Sequence, residues 1–324
     1  MKKFLFVGDT NGNTGPANVN KGIVANLSDA FCIADSVNRV KKYIDAFIGV
    51  VRCKVIVVSG ISKVGVYAIK LAKLLNKKTV YIMHGCYEME CVLNESAVDE
   101  NCLQMEQYIL HSVDLLLPVS ERYSQIIQEK YPFCKGKTAY LHNGVEKIDL
   151  EQGKIQREKG RIIAVGGDRK LKNNITVAKA VGKLGVDRVL TVYGHLYNPK
   201  NLPQDKNIEF KGLIPQTQLY EEMQKSELYI LNSVYEPFAL SVHDALLCGC
   251  SILITNVAGA LELLNVTEHD VIYDPMDEKE IADKIDYLLT HPNNERLMQG
   301  LDFEKVSYKA EVEKLENYCN QLCN

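Results

Sequence analysis

Short, unbroken apolar runs recur along this chain, separated by stretches of helical periodicity. In the first half the runs are KFLFVG, VIVVSG, TVYIMHG, LLLPVS and TAYLHNG, alternating with amphipathic stretches near 17–31, 63–77, 95–112 and 120–130. The second half repeats the theme with RIIAVGG, RVLTVYG, NIEF, LYILNS, SILITN and DVIYD, then a helix near 278–290. A strand that is apolar on both faces must be covered on both, and a helix between consecutive strands supplies the crossover that parallel pairing needs. The pattern predicts an α/β chain of two Rossmann-like units, each a doubly wound parallel sheet. The polar, charged segment EKIDLEQGKIQREKG (146–160) reads as the linker, so the domains are expected at 1–150 and 151–302. They are expected to face each other across a cleft, with ligands beyond the carboxyl ends of the strands. The tail at 303–322 is helical in pattern.

The chain's 324 residues exceed the usual size of a single core, and 46% apolar against 24% charged residues can fill two. A net charge of −3 argues against a nucleic-acid binder, which normally carries a basic surplus, so any anion site must be local. Ten cysteines sit mostly in apolar segments without paired CxxC spacing. They read as buried free thiols in a reducing cytosol, with a structural zinc site as the alternative. MKKFLFVGD has too few apolar residues for a signal-peptide core and reads as a first strand. No run approaches the roughly 18 apolar residues of a membrane span, so a cytoplasmic protein is expected.

The most specific segment is YEPFALSVHDALLCG (235–249), which sets Glu236 and Asp244 eight residues apart across a loop and a short apolar helix. Pro237 suits the first helical turn and Gly249 a helix stop. A helix start offers unpaired N–H groups and a positive dipole end to a phosphate, while carboxylates suit sugar or ribose hydroxyls. The combination points to a sugar nucleotide. This segment resembles the Glu-x7-Glu signature of retaining glycosyltransferases of family 4, with Asp244 in place of the second acid. DLLLPVSERY, YLHNGVE, RIIAVGGDRKLKNN, NIEFKGLIP and NVAGALELL resemble the family's other landmarks in the same order, so the likeness covers roughly residues 4–290. It implies the GT-B fold, and a tail helix that crosses back to the first domain; a plain packing helix on the second domain is the alternative.

The resemblance also assigns residues. Gly15, in the loop GDTNGNTGPANVNKGI, matches a glycine that approaches the donor phosphate, although Pro16 replaces a usual second glycine. The loop has no GxGxxG fingerprint for a dinucleotide. His84 ends TVYIMHG where the family has a histidine beside the donor sugar; its implied role is a hydrogen bond, and the ordinary reading is a structural histidine. In VGGDRKLKNN the family places an Arg and, five residues on, a Lys against the diphosphate. Here Gly167 holds the Arg position, Lys172 keeps its place and Arg169 is the candidate substitute; the bland alternative is a solvated basic turn. The resemblance gives Glu236 to the donor sugar, Asp244 to ribose, and the backbone of Phe238, Ala239 and Leu240 to sugar and phosphates. Ile214, in GLIP, matches a position that reads the base through the backbone.

The expectation is a metal-independent hexosyltransferase that needs no cofactor, acting with retention from a nucleoside-diphosphate sugar, UDP favoured, to a saccharide or lipid-linked saccharide in surface glycan biosynthesis. No Asp-x-Asp triplet occurs to hold a metal. The alternatives are a non-catalytic donor-binding or scaffold subunit, which the Gly167 and Asp244 departures keep open, and a sugar-nucleotide epimerase. Lys63, Lys70, Lys73 and Lys77 share one helical face, opposite Val64, Tyr67, Leu71 and Leu74. The ordinary reading is a solvated face. The sharper one is peripheral contact with an anionic membrane at its inner face, with Arg39, Lys41, Lys42 and Arg52 adding charge.

Overall fold

The computed structural model describes residues 3–12, 14–148 and 155–323. The apolar runs pair into two separate parallel sheets, one in each of two units. The first unit takes the described residues up to Val92, Ser96–Glu146 and those from Phe303 onward; the second takes Lys147–Asp302 with Leu93–Glu95.

In the first unit, β1 (Phe4–Val7), β2 (Phe31–Ala34), β3 (Val55–Ser59), β4 (Lys78–Met83) and β5 (Leu115–Pro118) lie in the order β2-β1-β3-β4-β5. The order reverses between β1 and β3, which are paired from Phe4 opposite Val55 to Val7 opposite Val58. All eight of these side chains are buried, as a sheet covered on both faces requires. The helices are α1 (Gly15–Asn26), α2 (Arg39–Arg52), α3 (Lys63–Leu74), α4 (Tyr87–Leu93), α5 (Glu100–Ser112) and α6 (Glu121–Lys130). Thr14, Asn38, Ser62, Asp99 and Ser120 start five of them by accepting a backbone N–H two or three residues on. Each such cap contributes about 1 kcal/mol.

The second unit holds β6 (Arg161–Val165), β7 (Val189–Tyr193), β8 (Ile208–Lys211), β9 (Leu228–Leu231), β10 (Ser251–Thr255) and β11 (Val271–Ile272), ordered β11-β10-β9-β6-β7-β8. Its helices are α7 (Asn174–Gly182), α8 (Gln216–Lys225), α9 (Leu240–Leu247), α10 (Glu278–Thr290) and α11 (Asn294–Gly300). Ile162, Ala164, Val192, Ile230, Leu253, Ile281 and Ile285 belong to one buried core. Here the order reverses between β6 and β9.

The chain then returns to the first unit through α12 (Phe303–Val306) and α13 (Tyr308–Cys323), which packs against α1. Tyr308, Val312, Leu315 and Cys319 are buried at helical spacing. The Tyr308 side chain leaves no room for a side chain at Gly22, and the residue leaves none at Gly144: a Cβ at either would lie 2.4 Å from its atoms. Val145 N–H donates to the Val306 carbonyl (2.8 Å), and His142 N–H to Glu311 Oε2 (3.0 Å).

Four local features differ from expectation. TAYLHNG runs beside β5, with hydrogen bonds from Ala139 N–H to Leu116 O and Leu141 N–H to Pro118 O, yet forms only an isolated bridge at Thr138. Its continuation is drawn toward the returning helix instead. The helix expected at 17–31 ends at Asn26, because Leu27 turns extended and the chain feeds the edge strand β2. Helix α2 lies outside the expected helices, although its apolar residues keep helical spacing; of them only Ala46, Gly49 and Val50 are buried. Leu74, expected opposite the lysines of α3, is instead 82% exposed. None of the ten cysteines is in a disulfide, seven of them are buried, and among the described residues no helix is long and apolar enough to cross a membrane.

Candidate functional site

The order reversal of the second sheet brings the loop after β6 beside the loop after β9, and an open α/β sheet binds ligands at such a switch point. The β6 loop turns sharply. Gly166 has φ +117° and Gly167 φ +61°, and both N–H groups donate to the Tyr193 carbonyl (2.7 and 3.0 Å). A Cβ at Gly166 would sit 2.6 Å from Lys172 Cγ, so its absence makes room for the Lys172 stem. A Cβ at Gly167 would sit 2.0 Å from the His195 carbonyl oxygen. No arginine fits there on this backbone, which is the physical reason for the departure from the family's pattern. Asn174 Nδ2 fixes the turn by donating to the Gly167 carbonyl (2.9 Å).

Lys172 closes the 3₁₀ turn Lys170–Lys172, and its Nζ is paired with Glu236 Oε2. Ser233 Oγ donates to the same oxygen (3.2 Å). Both partners are largely shielded, with side-chain exposures of 14% and 11%. Arg169 precedes the turn; its carbonyl accepts from Lys172 N–H (3.0 Å), and its half-buried guanidinium makes no ion pair among the described residues.

The segment after Glu236 departs from expectation. Pro237 lies outside the helix, which begins at Leu240. The Glu236 and Phe238 carbonyls accept N–H groups of Gly259 (3.2 Å) and Ala260 (2.7 Å), holding the chain against the loop after β10. The Phe238 ring is buried and stacks near His243, with centroids 5.5 Å apart. Ala239 then turns left-handed, φ +83°, a conformation that costs a residue with a Cβ about 1 kcal/mol or more and that clusters at ligand-binding turns. The N–H groups of Leu240 and Ser241 follow directly at the helix start, while Val242 N–H donates to the Ala239 carbonyl (3.3 Å). Asp244 lies one turn into that helix, and burial pushes its carboxyl up to about 7. Ile214 sits half-buried in the loop between β8 and α8, beside Gly212, whose carbonyl accepts from Gly194 N–H (3.4 Å).

The first unit carries Gly15 and His84. Gly15 opens α1, and a Cβ there would meet nothing within 4 Å, so sterics do not require glycine at that position. His84 follows β4. Its Nε2 lies 2.8 Å from Ser59 Oγ, and Ser59 donates to Asn20 Oδ1 (2.6 Å). Asn20 Nδ2 donates to the Asp9 carbonyl (2.9 Å), which can only accept and so fixes which way the amide points. With its one proton committed to Asn20, Ser59 Oγ must accept from His84. Burial lowers the imidazole to about 4, so His84 is neutral near pH 7, protonated on Nε2, with Nδ1 left as an acceptor.

The structure thus joins Lys172 with Glu236 and leaves His84 and Gly15 in the other unit. Asn20, Ser59, Ser233 and Gly166 were missed from sequence. Ser59 had a usable signal, as the one polar residue closing the apolar run VIVVS; Asn20 had none beyond lying in an Asn-rich loop.

Residues 145–300 match the family described as glycosyl transferases group 1. The mannosylfructose-phosphate synthase of Agrobacterium fabrum is 24% identical over 170 residues, 51% of this chain and 35% of that protein. An N-acetylgalactosamine-N,N'-diacetylbacillosaminyl-diphospho-undecaprenol 4-alpha-N-acetylgalactosaminyltransferase of Campylobacter jejuni is 23% identical over 217 residues, 64% of this chain and 59% of that protein. The match thus spans about a third and three-fifths of these two relatives. The crystal structure of Anabaena HepE in complex with UDP and glucose superposes with a TM-score of 0.72 at 12% identity, covering 99% of this chain and 100% of that one. Residues 145–300 therefore belong to the glycosyl transferases group 1 family, and the chain that carries them has the two-domain GT-B fold.

Proposed function

We propose that this protein is a retaining, metal-independent hexosyltransferase that uses a nucleoside-diphosphate sugar, UDP favoured, and a saccharide or lipid-linked saccharide acceptor in glycan biosynthesis. The observation that carries the reading is the shielded Lys172–Glu236 pair at the β6/β9 switch point of a group 1 domain. The HepE structure with UDP and glucose supports the donor class, and both curated relatives are named as transferases or synthases of glycosides. In this reading the C1–O bond to the diphosphate breaks, the acceptor oxygen bonds to C1 on the same face, and its proton passes to a leaving phosphate oxygen. Lys172, with Arg169, stabilises the negative charge that builds on the diphosphate, a task preorganised cations perform well in a shielded site. Glu236 holds sugar hydroxyls, Asp244 holds ribose, and the N–H groups that follow Ala239 face the phosphates. Gly167 and Ile214 serve the donor through backbone; in the first unit, Gly15 serves the donor phosphate and neutral His84 accepts a hydrogen bond from a sugar hydroxyl at Nδ1.

The test is a melting-temperature screen with UDP, GDP and NAD, followed by transfer assays with the stabilising donor in EDTA and anomer assignment of the product by NMR. Stabilisation by UDP and an α-linked product from an α-linked donor are the expected results. Donor binding without turnover on any acceptor would instead favour the scaffold role, and isomerised donor without acceptor the epimerase. Activity abolished by EDTA and restored by manganese would overturn metal independence.

A further inference from the structure

The most exposed apolar feature of the described residues lies in the first unit and has no place in the transferase reading. Helix α2 is held to the sheet by small residues: Ala46, Gly49 and Val50 are its buried face, and a Cβ at Gly49 would collide with Leu5 Cδ1 at 2.5 Å. Its large apolar residues point the other way. Val40, Ile44, Phe47 and Val51 recur at three- and four-residue spacing, which places them in one stripe, with Ile48 beside it; Val37, also exposed, precedes the N-cap Asn38. Their exposures run from 40% at Ile48 to 82% at Val37. A core-packing helix is built with the opposite assignment. The stripe continues onto α3 through the Tyr43–Tyr67 edge contact, centroids 5.3 Å apart, and a shallow depression lined by Val40, Tyr43, Ile44, Phe47 and Tyr67 lies between the two helices. Leu74, 82% exposed, shares α3 with Lys70 and Lys73.

Charge decides what covers it. Helices α2 and α3 carry Arg39, Lys41, Lys42 and Arg52, and Lys63, Lys70 and Lys73, against a single acid of their own, Asp45, although the whole chain is net −3; Lys70 Nζ lies over the Tyr108 ring of α5, 5.2 Å from its centroid. None of these seven cations joins an ion pair among the described residues. A second copy of the chain in a two-fold contact would set this basic patch against itself, and like charges so placed repel. A helix whose apolar residues sink to acyl depth while flanking cations meet phosphates is the arrangement that binds anionic bilayer surfaces. We propose that the outward face of α2, with the lysines of α3, docks the protein on a membrane surface rich in anionic lipid headgroups. This inference does not depend on the transferase reading, and its test does not use the donor site.

The chain contains no tryptophan, so Phe47→Trp creates a single reporter. With sonicated vesicles of phosphatidylcholine containing roughly one-third phosphatidylglycerol, its emission should shift to the blue and the protein should pellet with the lipid. Neutral phosphatidylcholine vesicles, or high salt, should weaken pelleting. The double variant Lys41→Gln/Arg52→Gln should bind about 25-fold more weakly, taking about fivefold for each cation lost near the surface. Ile44→Glu/Phe47→Glu should abolish binding while melting within a degree or so of the parent, since both side chains are exposed. Binding that ignores both sets of substitutions overturns the proposal, as does a failure to pellet with any vesicle. A lipid-free dimer dissolved by Ile44→Glu/Phe47→Glu also overturns it, by showing that a second copy covers the face.

Discussion

Replacing Glu236 by Gln should move nucleotide affinity and turnover in opposite directions. Lys172 is engaged by Glu236 in a pair whose side chains are only 14% and 11% exposed. A surface ion pair contributes about 0–1 kcal/mol, but a shielded, charge-assisted hydrogen bond contributes about 1.5–3 kcal/mol. Any diphosphate that recruits Lys172 must compete with that contact. Gln keeps the shape, can still accept from Ser233 and offers Lys172 only a neutral acceptor, worth about 0.5–1.5 kcal/mol. The difference, about 1–1.5 kcal/mol, should tighten UDP binding roughly 5- to 15-fold. Turnover should fall about 10- to 150-fold, because the donor sugar loses a charge-assisted contact that strengthens as its ring becomes cationic. Titration calorimetry with UDP and initial rates of UDP release measure the two effects on one preparation. Lys172→Met should weaken UDP, and the double variant should deviate from additivity, since the two residues share one contact. Unchanged UDP affinity in Glu236→Gln would show that the pair is not what the diphosphate displaces, and unchanged turnover would remove Glu236 from the chemistry.

Other expectations follow from the same geometry. Because burial raises Asp244 to about 7, UDP held through ribose hydroxyls should bind roughly tenfold more weakly at pH 6 than at pH 8, while Asp244→Asn binds more weakly at pH 8 and loses that slope; a slope surviving in Asp244→Asn would belong to the nucleotide itself. The sign for stability is the reverse: a raised carboxyl favours the fold below the unfolded value of 3.8 and loses that contribution as pH rises through about 7, so Asp244→Asn should melt above the parent at pH 8 and approach it near pH 4. Ser59→Ala should lower turnover by roughly tenfold with little change in UDP affinity, and ¹⁵N spectra should show His84 losing its fixed Nε2–H tautomer; a retained tautomer would refute the Asn20–Ser59–His84 relay. Gly166→Ala should displace Lys172 and weaken UDP about tenfold or more, whereas Gly144→Ala, which strikes the Tyr308 backbone, should cost about 1–3 kcal/mol of stability, read by denaturant melts, and leave UDP affinity alone.

What could be read from sequence followed burial. β3, β4, β6, β9 and β10 are apolar on both faces, and such runs announce themselves without knowledge of their neighbours. β2 is hidden because its four apolar residues, FCIA, follow directly on a stretch that reads as one helix to 31, and α2 went unread although its apolar residues keep helical spacing. For the candidate site, the loops were legible because each follows an apolar strand. The pairing of Lys172 with Glu236 across 64 residues was not, since only the β6/β9 neighbourhood creates it. The loss of arginine at position 167 was visible as a departure, but its cause, a positive φ pressed against the His195 carbonyl, exists only in three dimensions.

The return of α13 to the first unit bears on how the chain is made. A ribosome releases the strands of the first sheet early, yet Tyr308, Val312, Leu315 and Cys319, which complete that unit's packing beside α1, emerge only after the whole of the second unit. The second unit can therefore close while the first still waits for its last helix, so maturation runs against chain order. Stalled nascent chains ending near Asp302 should show a protease-resistant second unit beside a cleavable first one, and resistance of both at that length would refute this sequence of events.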